Sequence, residues 1–356
     1  MKFSTTVDNL FTGLSNVKTF VPSNPQQLAF SGICFKVSGS TLNIMATDGD
    51  SFTISDIHVN GSEDGVVVVP FKNFNTFVSS LPSKTLLEIM MENDDLVVKH
   101  NSNEYKFRTL KTNFPMFELS RVEGVSFSYP DLSKAASIVK VSVSKESRDN
   151  IVCQITGDKE GIRLHSTDNY RLSEVVMPGT FESEFKVVVL NNILEKAAKH
   201  NLSNLREDKS SKSIVFESPD QVISTRIRNT QFPLVENVIK SVPVNFVSFE
   251  PKELEGALDR LSSIAENSPL LISIQGDEMN IKVSNNEIGS GSEMIKIDNP
   301  DKFKFDFSIR LTYLQDSVSN CDAVKVKLHF TSAESPVFII WNTNLFVTHV
   351  IMPIAR

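Results

Sequence analysis

Cysteine is scarce in this chain of 356 residues: Cys34, Cys153 and Cys321 lie far apart with no CxxC spacing, which leaves neither a disulfide framework nor a thiolate zinc site. No apolar run approaches the roughly 18 residues that span a bilayer. The start, MKFSTTVDNLF, lacks the apolar core of a signal peptide, so a cytoplasmic protein with no membrane partner is expected. Motifs of chemistry are missing as well: there is no GxxxxGK[ST], no GxGxxG after a strand, no HExxH and no GxSxG. The histidines, His58, His100, His165, His200, His329 and His349, are dispersed, none four residues from another. No metal and no cofactor is expected. The acidic runs Glu63-Asp64 and Glu92-Asn93-Asp94-Asp95 lack the alternating spacing of a calcium loop and read as solvated turns. A formal net charge of −7 excludes a surface that is basic throughout but leaves room for a local basic face.

What is present is a repeat. Apolar residues at helical spacing recur as Leu10, Leu14 and Val17, as Leu132, Ala136 and Val139, and as Leu254, Leu258 and Leu261, each set 122 residues after the last. Each follows a helix-entry signal: Ser4-Thr5-Thr6, Pro130-Asp131, and Pro251 beside Glu253. A second helical pattern recurs as Phe71, Phe74, Phe77 and Val78, as Leu190, Ile193, Leu194, Ala197 and Ala198, and as Leu311, Leu314 and Val318. Short alternating runs separated by turn residues read as antiparallel strands, among them Gly65 to Pro70, Phe185 to Val189, Ser213 to Phe216, Val324 to Phe330 and Val337 to Trp341. Two further strands are read as ending on Phe-Pro, at Pro115 and Pro233. The fold class is therefore α+β in three units, with boundaries near 123 and 245: residues 1–123, 124–245 and 246–356.

The central stretch Ser166 to Ser173, STDNYRLS, is echoed 120 residues earlier by Thr47-Asp48-Gly49-Asp50. His165 with Asp168 is the best candidate for catalysis, as a hydrolase pair. The alternative is that Asp168 braces the turn by accepting backbone N–H bonds, which also explains Asp48, where no histidine precedes. Tyr170-Arg171-Leu172 reads either as a surface ion pair beside a core leucine or as the wall of a peptide groove. The end of the sequence, VIMPIAR, is almost wholly apolar, which suits a sheet edge or a hydrophobic pocket, and its methionine suits varied partners.

The three repeats, STDNYRLS in the second, FPLVENVI near its end and the closing VIMPIAR together resemble the beta subunit of bacterial DNA polymerase III, the sliding-clamp family, bacterial or phage-encoded. The resemblance spans the chain. It implies three DNA-clamp domains per chain, each with two helices packed on antiparallel sheet, and a head-to-tail homodimeric ring around duplex DNA. The implied function is that of a processivity factor without catalytic residues, an alternative to the hydrolase and to a structural protein of repeated domains. The implied partners are double-stranded DNA, encircled without sequence preference, and the short linear motifs of replicative polymerase, clamp loader and repair proteins.

Carried over by position, the resemblance places a peptide pocket at Ile151, Thr167, Tyr170, Arg171, Leu172, Pro233, Val238, Tyr313, Pro336, Val350, Ile351, Met352, Pro353, Ile354 and Arg356. Asn169 stands where the family has glycine, Tyr170 where it has histidine and Arg310 where it has asparagine. DNA-facing cations would be Lys18, Lys72, Lys134, Lys140, Lys196, Lys199 and Arg260, with Lys145 and Arg148 in a loop that touches DNA. The dimer interface would join Tyr105 and Phe107 to Ser263 and Ile264.

Overall fold

The computed structural model describes residues 1–116, 125–126, 129–143, 152–179, 184–202, 204–265 and 268–354. Thr6 starts the helix Val7–Val17, its hydroxyl accepting from the Asn9 N–H at 3.3 Å while Asp8 occupies the positive first turn. Leu10, Leu14 and Val17 form the fully buried stripe expected of them, each contributing roughly 1.5–3 kcal/mol by leaving water. Leu132, Ala136 and Val139 do the same in the helix Tyr129–Lys140, and Leu254, Leu258 and Leu261 in Pro251–Ala265, which begins on the proline that suits a first turn. The second helices are Phe71–Ser80, Asn192–Lys199 and Leu311–Val318. Leu190 is not in its helix, contrary to the periodicity; it ends the strand Phe185–Leu190, where the β-branched run Val187-Val188-Val189 carries the extended backbone one residue further.

Two compact units result, Met1–Tyr129 with Lys196–Ile227, and Pro130–Glu195 with Arg228–Arg356. In the first, an antiparallel sheet is ordered Asn60–Glu63, Lys2–Thr6, Leu86–Glu92, Asp95–His100, Asn103–Arg108. Its larger sheet runs Val125–Ser126, Asn204–Asp208, Ser213–Glu217, Gln221–Arg226, Ser51–His58, Thr41–Thr47, Gly32–Ser38, Gly65–Pro70. In the second unit, the larger sheet runs Phe185–Leu190, Val152–Asp158, Gly161–Thr167, Arg171–Pro178, Phe346–Ile351, Val337–Asn342, Val326–His329, Phe246–Phe249. Its smaller one runs Gly289–Lys296, Glu278–Asn285, Pro269–Gln275, Lys304–Arg310. Each larger sheet thus continues across a boundary read from the repeat: Gln221–Arg226 pairs with Ser51–His58, and Phe346–Ile351 with Arg171–Pro178.

The Phe-Pro segments are not strand ends. Their strands stop at Arg108 and Arg226, and the chain then crosses over the sheet, pinned by Leu110 N–H on the Val68 carbonyl at 2.8 Å and by Arg228 N–H on the Val188 carbonyl at 2.7 Å. Phe114 and Phe232 are buried by these straps in two corresponding clusters. The first holds Cys34, Met45, Phe52 and Val68; the second holds Val152, Leu172, Val188, Val235, Phe338 and Val350. Burial raises the Cys34 and Cys153 thiols to about 12, so both stay protonated small hydrophobes. Among the described residues no helix is long and apolar enough to cross a membrane.

Candidate docking pocket

The site is built on the turn at 167–171 of the second unit. Thr167 Oγ1 donates to the Arg171 carbonyl at 2.7 Å and accepts from Asn169 N–H at 3.1 Å. Asp168 Oδ1 accepts from the N–H groups of Tyr170 at 3.0 Å and Arg171 at 2.9 Å. Asn169 takes the left-handed conformation, φ 73°, which asparagine tolerates better than most residues. The same five-residue network stands in the first unit: Thr47 Oγ1 on the Ser51 carbonyl at 2.7 Å, and Asp48 Oδ1 accepting from Asp50 and Ser51 N–H at 3.1 and 2.7 Å. Bracing is therefore what both aspartates do. His165 turns elsewhere, its Nε2 3.0 Å from Glu174 Oε1 in a buried pair, so it and Asp168 form no catalytic couple.

What distinguishes the second copy is what the turn presents. Arg171 is only 8% exposed and its charge is answered twice, by Asp168 Oδ2 at 3.0 Å and by Asp316 Oδ2 at 2.5 Å from the helix Leu311–Val318. Its guanidinium lies 4.3 Å from the centre of the Tyr313 ring, and burial with the Asp168 charge raises the Tyr313 hydroxyl above its ordinary value. Leu172 enters the cluster under the strap, against Val235 and Val350. The C-terminal tail is tied alongside: Met352 N–H donates to the Tyr170 carbonyl at 2.9 Å and Ile354 N–H to the Ser308 carbonyl at 2.7 Å.

Around this cluster the surface is unusually apolar. Tyr170 is 64% exposed, Met352 43% and, on the strap, Leu234 79% and Val238 38%. Pro233 is exposed; Tyr313, Pro336, Pro353 and Ile354 are half-buried, and Val350 and Ile351 are buried in the last strand. The crevice between Arg171, Leu172, Tyr313 and Val350 leaves no room for a water molecule, so an occupant must first displace side chains. Of the residues expected here, Ile151 and Arg356 lie outside the described residues. Sequence reasoning missed Asp316, Phe232, Val235 and Phe338, and the repeat was the available signal for some of them: Asp316 falls 120 residues after Lys196.

Lys196 shows how the first copy differs. Its ammonium lies 3.2 Å from Asp48 Oδ2 and 4.2 Å from the Phe20 ring centre, and Phe30 lies against Gly49, where an added Cβ would come within 3.1 Å of that ring. The first turn is covered by Lys196 and Phe30; the second borders the exposed side chains of Tyr170 and Met352.

A buried polar chain supports the site from behind. Ser142 Oγ is 2.5 Å from Ser173 Oγ, which is 2.8 Å from His349 Nδ1. Burial, with the nearby Arg171 charge, lowers His349 from 6.5 to about 3, so it is neutral when folded. The unfolded chain takes up the proton first. Stability is therefore complete above pH 6.5 and falls as pH drops toward 3, by about 1.4 kcal/mol per unit. His200 and His329, both lowered by burial, act in the same direction. Urea unfolding at pH 7 and pH 5 should show a loss of about 2 kcal/mol or more in the natural chain and a shallower loss in His349→Asn. Equal losses would remove His349 as the cause.

The expected DNA-facing cations divide. Lys134 pairs with Asp322, Lys140 with Glu195 at 3.0 Å, Lys196 with Asp48, and Arg260 with Glu293 at 2.8 and 2.9 Å. Lys18, Lys72 and Lys199 are exposed and have no ion pair among the described residues. Lys145 and Arg148 lie outside those residues. At the expected interface, the Tyr105 ring lies 4.6 Å from the Phe77 ring in a tilted contact, beside Phe107, while Ser263 is exposed and Ile264 half-buried.

Helix pairs on antiparallel sheet, repeated along one chain, with an exposed apolar surface beside the turn at 167–171, define the DNA-clamp class of folds. Models of the DNA polymerase III beta subunit match the chain with its N-terminal domain over residues 1–118 and its C-terminal domain over 241–355. The beta sliding clamp of Synechococcus elongatus is 23% identical over 382 residues, covering 99% of each chain. The beta sliding clamp homolog GriR of Streptomyces muensis is 22% identical over 359 residues, covering 97% of this chain and 95% of that one. Among solved structures, the Pseudomonas aeruginosa beta subunit bound to griselimycin superposes with a TM-score of 0.91 at 17% identity, and the Caulobacter crescentus sliding clamp with 0.89 at 19%, each covering 100% of both chains. The chain belongs to the family of bacterial DNA polymerase III beta subunits, the sliding clamps.

Proposed function

We propose that this chain works as a DNA sliding clamp, a processivity factor that encircles duplex DNA and tethers polymerase, clamp loader and repair proteins through short linear motifs. The observation that carries the docking half is the tail tied to the Tyr170 turn beside an exposed apolar surface. No reaction is assigned: Asp168 is engaged in bracing, and the function needs no cofactor. On this reading residues 1–123, 124–245 and 246–356 are the three clamp domains, and two chains close head to tail into a ring.

Topological retention explains how an acidic chain holds DNA, since a closed ring needs only weak phosphate contacts, and these also permit sliding. Lys18, Lys72 and Lys199, which have no ion pair among the described residues, are the cations best suited to them. With Lys134, Lys140, Lys196 and Arg260 engaged by carboxylates, direct affinity for DNA should be low. The test is retention on a nicked circle loaded with the protein, read by gel filtration before and after the circle is linearised. Protein should stay with the circle and leave the linear form. Equal retention on both would replace the ring by ordinary surface binding.

A further inference from the structure

Among the described residues, the rim of the pocket carries a cation that no carboxylate answers. Arg310 ends the strand Lys304–Arg310 and is exposed, its guanidinium 5.1 Å from the centre of the Tyr313 ring. The same ring carries Arg171, but Arg171 has Asp168 and Asp316 as counter-charges. Arg310 has no carboxylate within 4 Å among the described residues.

Nor does the fold gain much from an arginine there. It immediately precedes the helix Leu311–Val318, whose positive end repels a cation, and no side chain caps that helix. A second guanidinium on one ring adds repulsion. The position, however, borders the tail: Ser308, two residues earlier on the same strand face, accepts the Ile354 N–H. Tyr313 holds the guanidinium fork on its ring, which lowers the entropy lost when the fork is engaged.

We propose that Arg310 is a specificity-determining residue of the pocket, pairing with a carboxylate of the docked segment. This rests on the docking function above and adds to it the chemistry of the ligand. A planar fork beside an apolar pocket selects an apolar anchor next to an anionic oxygen pair, and bidentate pairing with a carboxylate supplies it. That carboxylate is an Asp or Glu side chain flanking the anchor.

The test uses four synthetic decapeptides sharing a Leu-Phe anchor, with Asp or Asn before it and the C-terminus free or amidated. They are titrated by fluorescence anisotropy against the full chain and against Arg310→Gln. The natural chain should prefer the Asp peptide. Arg310→Gln should weaken it about fivefold and leave the amidated Asn peptide nearly unchanged, and high salt should remove the natural chain's discrimination, since the pair lies at an exposed rim. A loss that follows amidation instead would overturn the side-chain assignment. An equal loss for all four peptides, or none, overturns the proposal. Should no peptide bind the natural chain, the docking function fails and the role of Arg310 with it. Unchanged thermal unfolding of Arg310→Gln separates recognition from folding.

Discussion

Ending the chain after Ile351 should weaken binding of a Leu-Phe peptide by about 100-fold or more while the protein still folds. The removed residues contribute Met352, 43% exposed, and Ile354, half-buried, held beside the Tyr170 turn and the 304–310 strand by two backbone hydrogen bonds. An apolar side chain that closes over a bound anchor is worth roughly 1.5–3 kcal/mol, and two of them exceed the 2.7 kcal/mol that separates affinities 100-fold apart. Stability should change little, because the last strand keeps its register with Arg171–Pro178 through Ile351, and its buried residues Val347, Val350 and Ile351 all remain. Isothermal titration with the peptide reads the first effect and thermal unfolding the second. Retained affinity in a folded truncation would show that the tail is not a wall of the pocket.

This outcome turns on features that differ in how far the sequence revealed them. The helices were legible because burial on one face enforces the 3.6-residue period, and Leu10, Leu132 and Leu254 recur at one interval. The bracing role of Asp168 was legible through Asp48, since an identical hydrogen-bond network recurs where no histidine precedes. Periodicity misplaced Leu190, which suits a strand end as well as a helix face, and Phe-Pro marked straps rather than strand ends. Both errors have one origin: an apolar residue declares that it is buried, not which layer buries it.

Partner choice by charges was not legible in the local pattern. Arg171 finds Asp316 at a separation of 145 residues, and Lys196 finds Asp48 at 148. Nothing in the local pattern separates these residues from Lys18 or Lys72, which stay unpaired among the described residues. The two turns therefore looked more alike than they are. Lys196 and Phe30 fill the first, while Tyr170 and the tail leave an apolar surface at the second.

Replacing Ile264 by Asp should leave a folded chain with the mass of one protomer, 39.7 kDa, and the natural chain should sediment with the mass of two. Two of the sheet edges are open among the described residues. Asn103–Arg108 pairs only with Asp95–His100 among the described residues, and Gly289–Lys296 only with Glu278–Asn285, so each presents a free row of backbone donors and acceptors. Apolar side chains flank both edges: Phe77, Tyr105 and Phe107 beside the first, and beside the second Ile264, so close to Gly291 that an added Cβ there would lie 2.6 Å from it. Pairing one edge with the other on a second copy is heterologous, and it closes after two copies only if both junctions form. An aspartate at 264 places an uncompensated charge in each junction and should disfavour both by several kcal/mol. Phe107→Asp, on the opposite face of the junction, should do the same. A mixture of the two variants then discriminates: each retains one natural face, so the pair rebuilds a single junction and sediments as two chains, although neither variant dimerises alone. A self-complementary interface gives no such rescue, and dimers persisting in both single variants would place the junction elsewhere.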